Sequence, residues 1–531
     1  MGNNVQRVPT HLGTERISRL LWQYAAPAIT AMVATSVYNI VDSIFVGRGV
    51  GDIGISGMAV SSPFMNLSAA FGAMVGVGAS TVISVRLGQK RYETAQQTLG
   101  NTITLNLIIG LLFTIACWPF LDAILRIFGA SDATLPYARD YMRVILLGNI
   151  ISHSYFGLNA VLRSAGHPRA AMNCTFLAIL LNTVLDPLFI FVFHWGVAGA
   201  AWATILSQAV GLAVQLCLFS RRDELLHLRR GIYRLRPDIV RQTLVIGLSP
   251  LLMNSCACLV VLIINNRLRD YGGDMAIGAY GIVNRVVFIF VMIIMGLNQG
   301  MQPIVGYNWG ARQNDRVWRT LRYTIAMATL VSAACTLVGE FMPERVIHAF
   351  GTGPELTSIA VRGYRIIVAA MPLVGAQMVI GHFFQSIGHA GKSIFQSLTR
   401  QLLFLIPLLI VLPRLWGLDG VWATMPVSDT ISFFTSVAML WWLVRSLTPC
   451  PSPRRRESRA ATNREQLAIF SGSRGQREKN NKQSSLGVDV SEKQTISSLP
   501  SPRSNASKCL SVGERSDGVR AGGEAVGRGS V

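Results

Sequence analysis

The 531-residue sequence is poor in charge, because only 14% of its residues are Asp, Glu, Lys or Arg. A soluble globular protein carries about 25%, so this shortage excludes a conventional soluble enzyme. The formal net charge of +21 is the kind of excess that nucleic-acid-binding proteins carry. Here, however, the basic residues stand between long apolar runs and form no basic domain. We therefore expect no nucleic-acid partner.

The cysteines lack the spacing of a metal site or a disulfide framework. Six of the eight lie inside apolar stretches, where cysteine behaves as a small hydrophobic residue: Cys117, Cys174, Cys217, Cys256, Cys258 and Cys335. We expect neither a structural metal nor a cofactor. No nucleophile, base and orienting group recur at a usable spacing, so the sequence predicts no enzyme. The first 16 residues are polar and do not resemble a cleavable signal peptide.

Long apolar runs are what the sequence has in abundance. Twelve of them reach the roughly 20 residues that a helix needs to cross a bilayer. The predicted fold is therefore an all-α polytopic membrane protein, with twelve transmembrane helices in two six-helix lobes. We expect a monomer whose surroundings are the lipid bilayer.

The distribution of basic residues predicts the orientation, because Lys and Arg are retained on the cytoplasmic side. Alternate connections are rich in them, and the one around 221–241 alone holds seven arginines. Both termini are thus predicted to be cytoplasmic, in a cell inner membrane. The predicted organisation is a cytoplasmic N-terminal segment at 1–16, an N-lobe at 17–220, a cytoplasmic linker at 221–240, a C-lobe at 241–445 and a disordered basic tail at 446–531.

The two halves of the chain resemble each other in sequence. Gly166-His167-Pro168 after the fourth span is similar to Gly388-His389-Ala390 after the tenth, and 200–204 is similar to 420–424. Matching elements fall six spans apart. Because six is an even number, we predict two lobes of the same orientation, related by a pseudo-two-fold axis along the membrane normal.

Acidic residues inside predicted spans are costly and mark functional sites by default. Asp42 lies three residues after Asn39, and Asp186 lies one helical turn after Asn182. Desolvation favours the neutral form of a carboxyl, so such a pair could bind and release a proton, and its oxygen atoms could instead bind sodium. The alternatives are that Asp42 caps a helix end and that local structure ahead of Pro187 satisfies Asp186. For a third acid, Asp429, neighbouring hydroxyl groups predict local hydrogen bonding.

Four motifs together give the chain a family resemblance over residues 15–445. They are Tyr38-Asn39-Ile40-Val41-Asp42, the stretch 159–166, Asn182-Thr183-Val184-Leu185-Asp186-Pro187 and the stretch 200–204. The chain thereby resembles the multidrug and toxic compound extrusion (MATE) family, and 278–285 followed by 302–308 is similar to its MepA-like and DinF-like branch. The resemblance implies two lobes around a central cavity and outward drug transport in exchange for protons or sodium.

The resemblance also implies roles for individual residues. Those that match the N-lobe ion-coupling site of DinF-like members are Asp42, Asn159, Asn182, Asp186 and Thr204. Tyr38, Asn39 and Tyr141 match a substrate cavity, and Pro27 matches a bend in the first helix. A C-lobe sodium site would need acids in the seventh and tenth helices, and the stretches 251–256 and 377–382 supply none.

The expected function is a secondary active antiporter that exports amphipathic, cationic small molecules. The alternative is a flippase for lipid-linked oligosaccharide from the same superfamily. A pyrophosphate lipid would need several arginines facing the cavity, and only Arg285 and Arg400 are available for that role. This shortage favours drug export.

Overall fold

The computed structural model describes residues 9–350 and 353–447. Throughout this part of the chain the regular secondary structure is helical, and it contains no strand. The predicted tail at 446–531 lies outside the described residues from Thr448 onward, as do the first eight residues of the predicted N-terminal segment.

The described residues form twelve membrane spans. Ten helices are long and apolar enough to cross a membrane, and a pair bent by 51° forms an eleventh. The last of the ten, Ala390–Ser446, has 57 residues, far more than one span needs, and Gly417 with a φ of 56° divides it into two. The spans, numbered in chain order, are α1 Ile17–Val50, α2 Asp52–Gly88, α3 Tyr92–Cys117, α4 Leu135–Ser164, α5 Pro168–Pro187, α6 Gly196–Phe219, α7 Pro237–Gly273, α8 Met275–Gly310, α9 Asn314–Phe341, α10 Pro354–Val368 with Met371–Ser386, α11 390–416 and α12 418–447.

Short helices and irregular turns connect or end the spans. They are His11–Thr14 before α1, Trp118–Phe120 and Leu121–Ile127 after α3, and Pro343–His348 after α9. Short π-helical segments occur at Leu188–Val192, directly after α5, and at Thr399–Leu405 within α11. Proline begins several helices, among them α5 and α7, because its missing N–H would have no partner at that position. Consequently α7 starts at Pro237, inside the segment predicted to be a linker.

The backbone repeats the duplication that the sequence predicts. Left-handed φ values occur at Gly51 and Gly273, at Lys90 and Arg312, and at Gly166 and Gly388, each pair 222 residues apart. Because such φ values are uncommon outside turns and helix ends, their recurrence shows that the same connections are built twice.

Each lobe has its own packing. In the first, α4 lies against α2 and α6, and α5 packs on α6; in the second, α10 lies against α9 and α12. The apolar cores separate accordingly, with one large cluster in the C-lobe and two smaller ones in the N-lobe. The C-lobe cluster also contains Leu20, Leu21 and Tyr24 from the first turns of α1.

The lobes meet through glycines at the ends of α2 and α8. A Cβ atom on Gly88 would lie 1.9 Å from the carbonyl oxygen of Tyr307, and one on Gly310 would lie 2.1 Å from that of Val85. Deeper in the bundle, a Cβ on Gly247 would lie 1.9 Å from the carbonyl oxygen of Met74. The backbones of α2, α7 and α8 are therefore in direct contact, which only residues without a side chain permit.

Candidate functional site

Two acids from different helices meet inside the N-lobe. Asp42 lies in the second half of α1 and is 7% exposed, whereas Asp186 ends α5 and is fully buried. The α1 helix packs along α5, and this contact places the two carboxyl groups side by side, within electrostatic range of each other. The second Asp42 oxygen, Oδ1, is buried without a partner. The pair therefore combines two adjacent carboxyl groups with an unsatisfied acceptor.

An amide orders the pair. Asn182 lies one turn before Asp186 on α5. With its amide assigned the orientation in which both of its polar atoms have complementary partners, its nitrogen donates to Asp186 Oδ2 over 2.8 Å and to the Tyr38 hydroxyl over 3.0 Å. Its oxygen accepts from the backbone N–H of Thr204 over 3.1 Å. The Tyr38 hydroxyl lies 3.4 Å from Thr204 Oγ1. Three helices, α1, α5 and α6, are thus joined by one hydrogen-bonded network around the carboxyl groups.

The structure tests the simplest alternatives for these acids. Asp42 does not cap a helix end, because α1 continues for eight residues beyond it to Val50. Asp186 has a local partner in Asn182, as its alternative predicts, and it also lies beside Asp42 from another helix. Asp429 pairs with Arg400 of α11 over 2.7 Å, and not with its neighbouring hydroxyl groups as expected. Those hydroxyls donate instead to backbone carbonyls, Ser428 to Arg400 and Thr430 to Pro426.

The network lines a cavity of about 270 Å³ inside the N-lobe. Helices α1, α2, α4, α5 and α6 all contribute to its wall, which mixes aromatic, apolar and neutral polar side chains with the Asp42 carboxyl. Tyr38, Asn39 and Tyr141, the predicted substrate residues, lie in this wall. Tyr141 is 4% exposed, and its hydroxyl donates to Met65 Sδ over 3.4 Å. A small amphipathic molecule with a positive charge would match such a lining.

Two of the predicted residues lie apart from the carboxyl pair. Asn159 donates to the carbonyl oxygen of Ala171 over 3.0 Å and to Thr175 Oγ1 over 3.3 Å, and its oxygen accepts from Arg163. It therefore reaches the cavity only through Thr175, which lines it. Pro27 lies in α1, which is a single helix from Ile17 to Val50. A bend there remains a prediction.

The structure adds a second polar group that the sequence analysis missed. Ser68 of α2 donates to Asn149 Oδ1 over 2.8 Å and lies 3.4 Å from His153 Nε2, and all three side chains line the cavity. Ser152 donates to Gln208 over 2.6 Å. Their signal was present in the sequence, because Asn149 and His153 are four residues apart and share one face of α4. Taken singly, such residues are not distinguished from polar residues that pack in any helix interface.

Within 9–350 and 353–447 no three His, Cys, Asp or Glu side chains converge as a metal site would require. The chemistry of the N-lobe cavity therefore depends on the two carboxyl groups and their neutral partners.

Comparison with known proteins places this geometry in a family. The MatE family model matches residues 27–188 and 246–411, one segment in each lobe. The chain belongs to the MatE family. The twelve-helix, two-lobed fold and the resemblance to multidrug and toxic compound extrusion transporters are confirmed, and the protein is a multi-pass membrane protein.

The similarity to individual MATE relatives extends over nearly the whole length of those proteins. The chain is 27% identical over 432 residues to the multidrug export protein MepA of Staphylococcus haemolyticus. The matched region covers 81% of this chain and 95% of that protein. Among solved structures, it is 34% identical to the MATE multidrug transporter DinF-BH, with a TM-score of 0.76 over 83% of this chain and 98% of that one. An outward-facing MATE transporter of the MOP superfamily, 24% identical, shares the fold with a TM-score of 0.77.

Proposed function

We propose that this protein is a secondary antiporter that exports amphipathic organic cations in exchange for protons. The observation that carries the proposal is the juxtaposition of Asp42 and Asp186 beside a cavity of drug-binding composition. The relatives support export, since they are named multidrug export protein MepA and MATE multidrug transporter. The distribution of basic residues supports two cytoplasmic termini in a cell inner membrane.

The carboxyl pair suits proton exchange because of its charge. Two ionised carboxylates in contact repel each other strongly in apolar surroundings, so the pair holds a proton between its oxygen atoms or binds a compensating cation. A cationic substrate in the same cavity supplies that compensation. Protons and substrate then compete, and by linkage each lowers the affinity for the other by the same factor.

Helix α1 can transmit this competition to the lobes. Its first turns lie in the C-lobe core, where Gly300 packs against Ala25 and Gly296 packs against Ile29. Its second half carries Asp42 into the N-lobe. Pro27 lies between the two glycine contacts, where the missing backbone N–H weakens the helix. Protonation that changes the Asp42 contact would therefore bend α1 at Pro27 and alter the contact between the lobes.

The groups around the pair favour a proton over sodium as the coupling ion. Sodium prefers several oxygen ligands, but the Asn182 side chain turns its N–H₂ group towards Asp186 and its oxygen towards a backbone N–H. In this assigned orientation the amide offers no oxygen to a cation at Asp186, which leaves the carboxyl oxygens with the Tyr38 and Thr204 hydroxyl groups as oxygen ligands. A proton needs just one such acceptor.

The alternative, a lipid-linked oligosaccharide flippase, loses support from the ion pair in the C-lobe. Of the two arginines available for a pyrophosphate group, Arg400 is bound to Asp429 over 2.7 Å. Arg285 alone is left, and one arginine is a weak site for two phosphates.

The experiment that tests the proposal is efflux of ethidium from proteoliposomes under an imposed proton gradient or an imposed sodium gradient. Asp186→Asn keeps the shape of the side chain and removes its titration, so we expect ethidium binding to persist and proton-driven efflux to fall to background. The matched control is Asp140→Asn, which makes the same change at an exposed acid of α4 and should transport normally. Efflux driven by sodium alone, or unchanged proton-driven efflux in Asp186→Asn, would contradict the proposal.

A further inference from the structure

A second cavity, of about 650 Å³, lies between the lobes at the end of the molecule where α2 and α8 end. Three segments form it: 10–14 ahead of α1, the connection 88–91 between α2 and α3, and the connection 307–313 between α8 and α9. It is separate from the N-lobe cavity, with which it shares no lining residue.

The charge of this cavity has one sign. Lys90, Arg91 and Arg312 line it, and no acid does. All three are exposed, and among the described residues none of them makes an ion pair or a side-chain hydrogen bond. The acid nearest to Arg91 in sequence, Glu93, is bound by Arg229 over 2.5 Å. The remaining lining side chains include Thr10 and Gln89, which offer neutral hydrogen-bond donors.

The backbone presents these cations in a matched arrangement. Lys90 and Arg312 each adopt a left-handed φ, of 59° and 58°, after the last turn of α2 and of α8. The turns are the same, since Arg91 N–H donates to the Arg86 carbonyl over 2.9 Å and Gln313 N–H donates to the Asn308 carbonyl over 2.9 Å. Glycine or asparagine is the usual residue at such a position, so a long cation occupies it in both lobes at a conformational cost.

The cavity is complete only while the lobes touch at this end. Its two basic turns come from different lobes, and they are held together where Gly88 lies against Tyr307 and Gly310 lies against Val85. Segment 10–14 is tied to the C-lobe, because Asn308 and Arg316 both donate to the Leu12 carbonyl, over 2.9 Å and 3.1 Å. Separation of the lobes at this end would pull Lys90 and Arg91 away from Arg312.

We infer that this cavity binds a phosphate-bearing anion that bridges the two lobes. Arginine and lysine are the side chains that recognise phosphate oxygens, and three unpaired cations repel one another until an anion enters. A ligand that contacts both turns binds only the state in which the lobes touch at this end, so it stabilises that state by its difference in affinity. The same headgroup chemistry occurs in an anionic phospholipid and in a soluble phosphate ester.

The test measures hydrogen exchange of the full-length protein in nanodiscs. Peptides that cover 85–92 and 305–314 are compared in phosphatidylcholine alone, with added phosphatidylglycerol, and in phosphatidylcholine with millimolar glycerol phosphate. We expect phosphatidylglycerol or glycerol phosphate to slow exchange of both peptides several-fold. Slowing by the lipid alone identifies a membrane headgroup as the ligand, and slowing by the soluble ester identifies a free anion.

Two variants separate the cavity from charge in general. Lys90→Gln, Arg91→Gln and Arg312→Gln combined should abolish the slowing. Arg222→Gln, Arg230→Gln and Arg234→Gln combined remove equal charge from the connection between α6 and α7, outside the cavity, and should preserve it. Equal exchange in all three conditions, or slowing that survives the first variant, would overturn the inference. Because the readout involves no transport, its failure is independent of the proposed exchange of protons for drugs.

Discussion

The two lobes of this protein share one backbone plan and differ in chemistry at corresponding positions. At the 222-residue spacing of the repeated turns, Asp42 of α1 corresponds to Ile264 of α7, which is 2% exposed in the C-lobe core. The stretch 404–409 of α11 corresponds to the position of Asp186 in the repeat, and it contains no acid. The carboxyl pair therefore belongs to the N-lobe alone.

The C-lobe has its own buried polar group, but it is compensated. Arg400 and Asp429 neutralise each other, and Arg400 lies with amides such as Gln377 and Gln396 around a cavity of only about 60 Å³. This volume holds about two water molecules, whereas the N-lobe cavity of about 270 Å³ can hold part of an organic molecule. Duplication thus preserved the scaffold, whereas the uncompensated acid pair and the cavity beside it belong to the N-lobe.

The largest expected effect comes from the acid pair itself. Asp42→Asn and Asp186→Asn should each reduce proton-driven efflux to background, and the double variant should do no further harm, because the two carboxyl groups act as one unit. Initial efflux rates at matched expression would measure this. Additive losses in the double variant would mean that the two acids act separately.

Transfer of an acid to the C-lobe should damage the protein and create no second site. Ile264→Asp introduces a carboxylate without partners into a packed core, and a charged residue at a helix centre costs about 2.5–3.5 kcal/mol. We expect a lower thermal unfolding temperature in detergent. Ile264→Asn introduces a side chain of the same shape as Asp but without charge, so it should lower the unfolding temperature less. If Ile264→Asp instead restored proton-driven efflux to Asp186→Asn, the lobes would be chemically interchangeable.

Removal of the C-lobe acid should affect stability and not coupling. Asp429→Asn leaves Arg400 without its carboxylate, and the loss of a charged partner at a partly buried site costs about 1–3 kcal/mol. Thermal unfolding in detergent should detect this loss. Arg400→Gln combined with Asp429→Asn should recover part of it, because no unpaired charge remains. A change in the number of protons exchanged per substrate would show that this ion pair also takes part in coupling.

The smallest effect should come from a hydroxyl beside the pair. Tyr38→Phe removes a hydrogen bond of 3.0 Å to Asn182 and leaves the ring in the cavity wall. A hydrogen bond of this kind contributes about 0.5–1.5 kcal/mol, which corresponds to about a two- to tenfold change in the proton concentration that gives half-maximal efflux. The pH dependence of efflux measures it, with Tyr137→Phe, on the same helix as Tyr141 but outside the cavity, as the control.

The sequence by itself determined the twelve spans, the duplication and the family, because the length of an apolar run and a repeated motif do not depend on which helices pack together. It also singled out Asp42, Asn182 and Asp186, since an acid in an apolar run is conspicuous. Only the tertiary structure decided that the two acids lie side by side, that Arg400 neutralises Asp429, and that Ser68 joins Asn149 and His153 at the cavity. Those contacts join different helices, and which faces meet depends on how closely the backbones approach, as where Gly72 and Gly76 of α2 pack against α4.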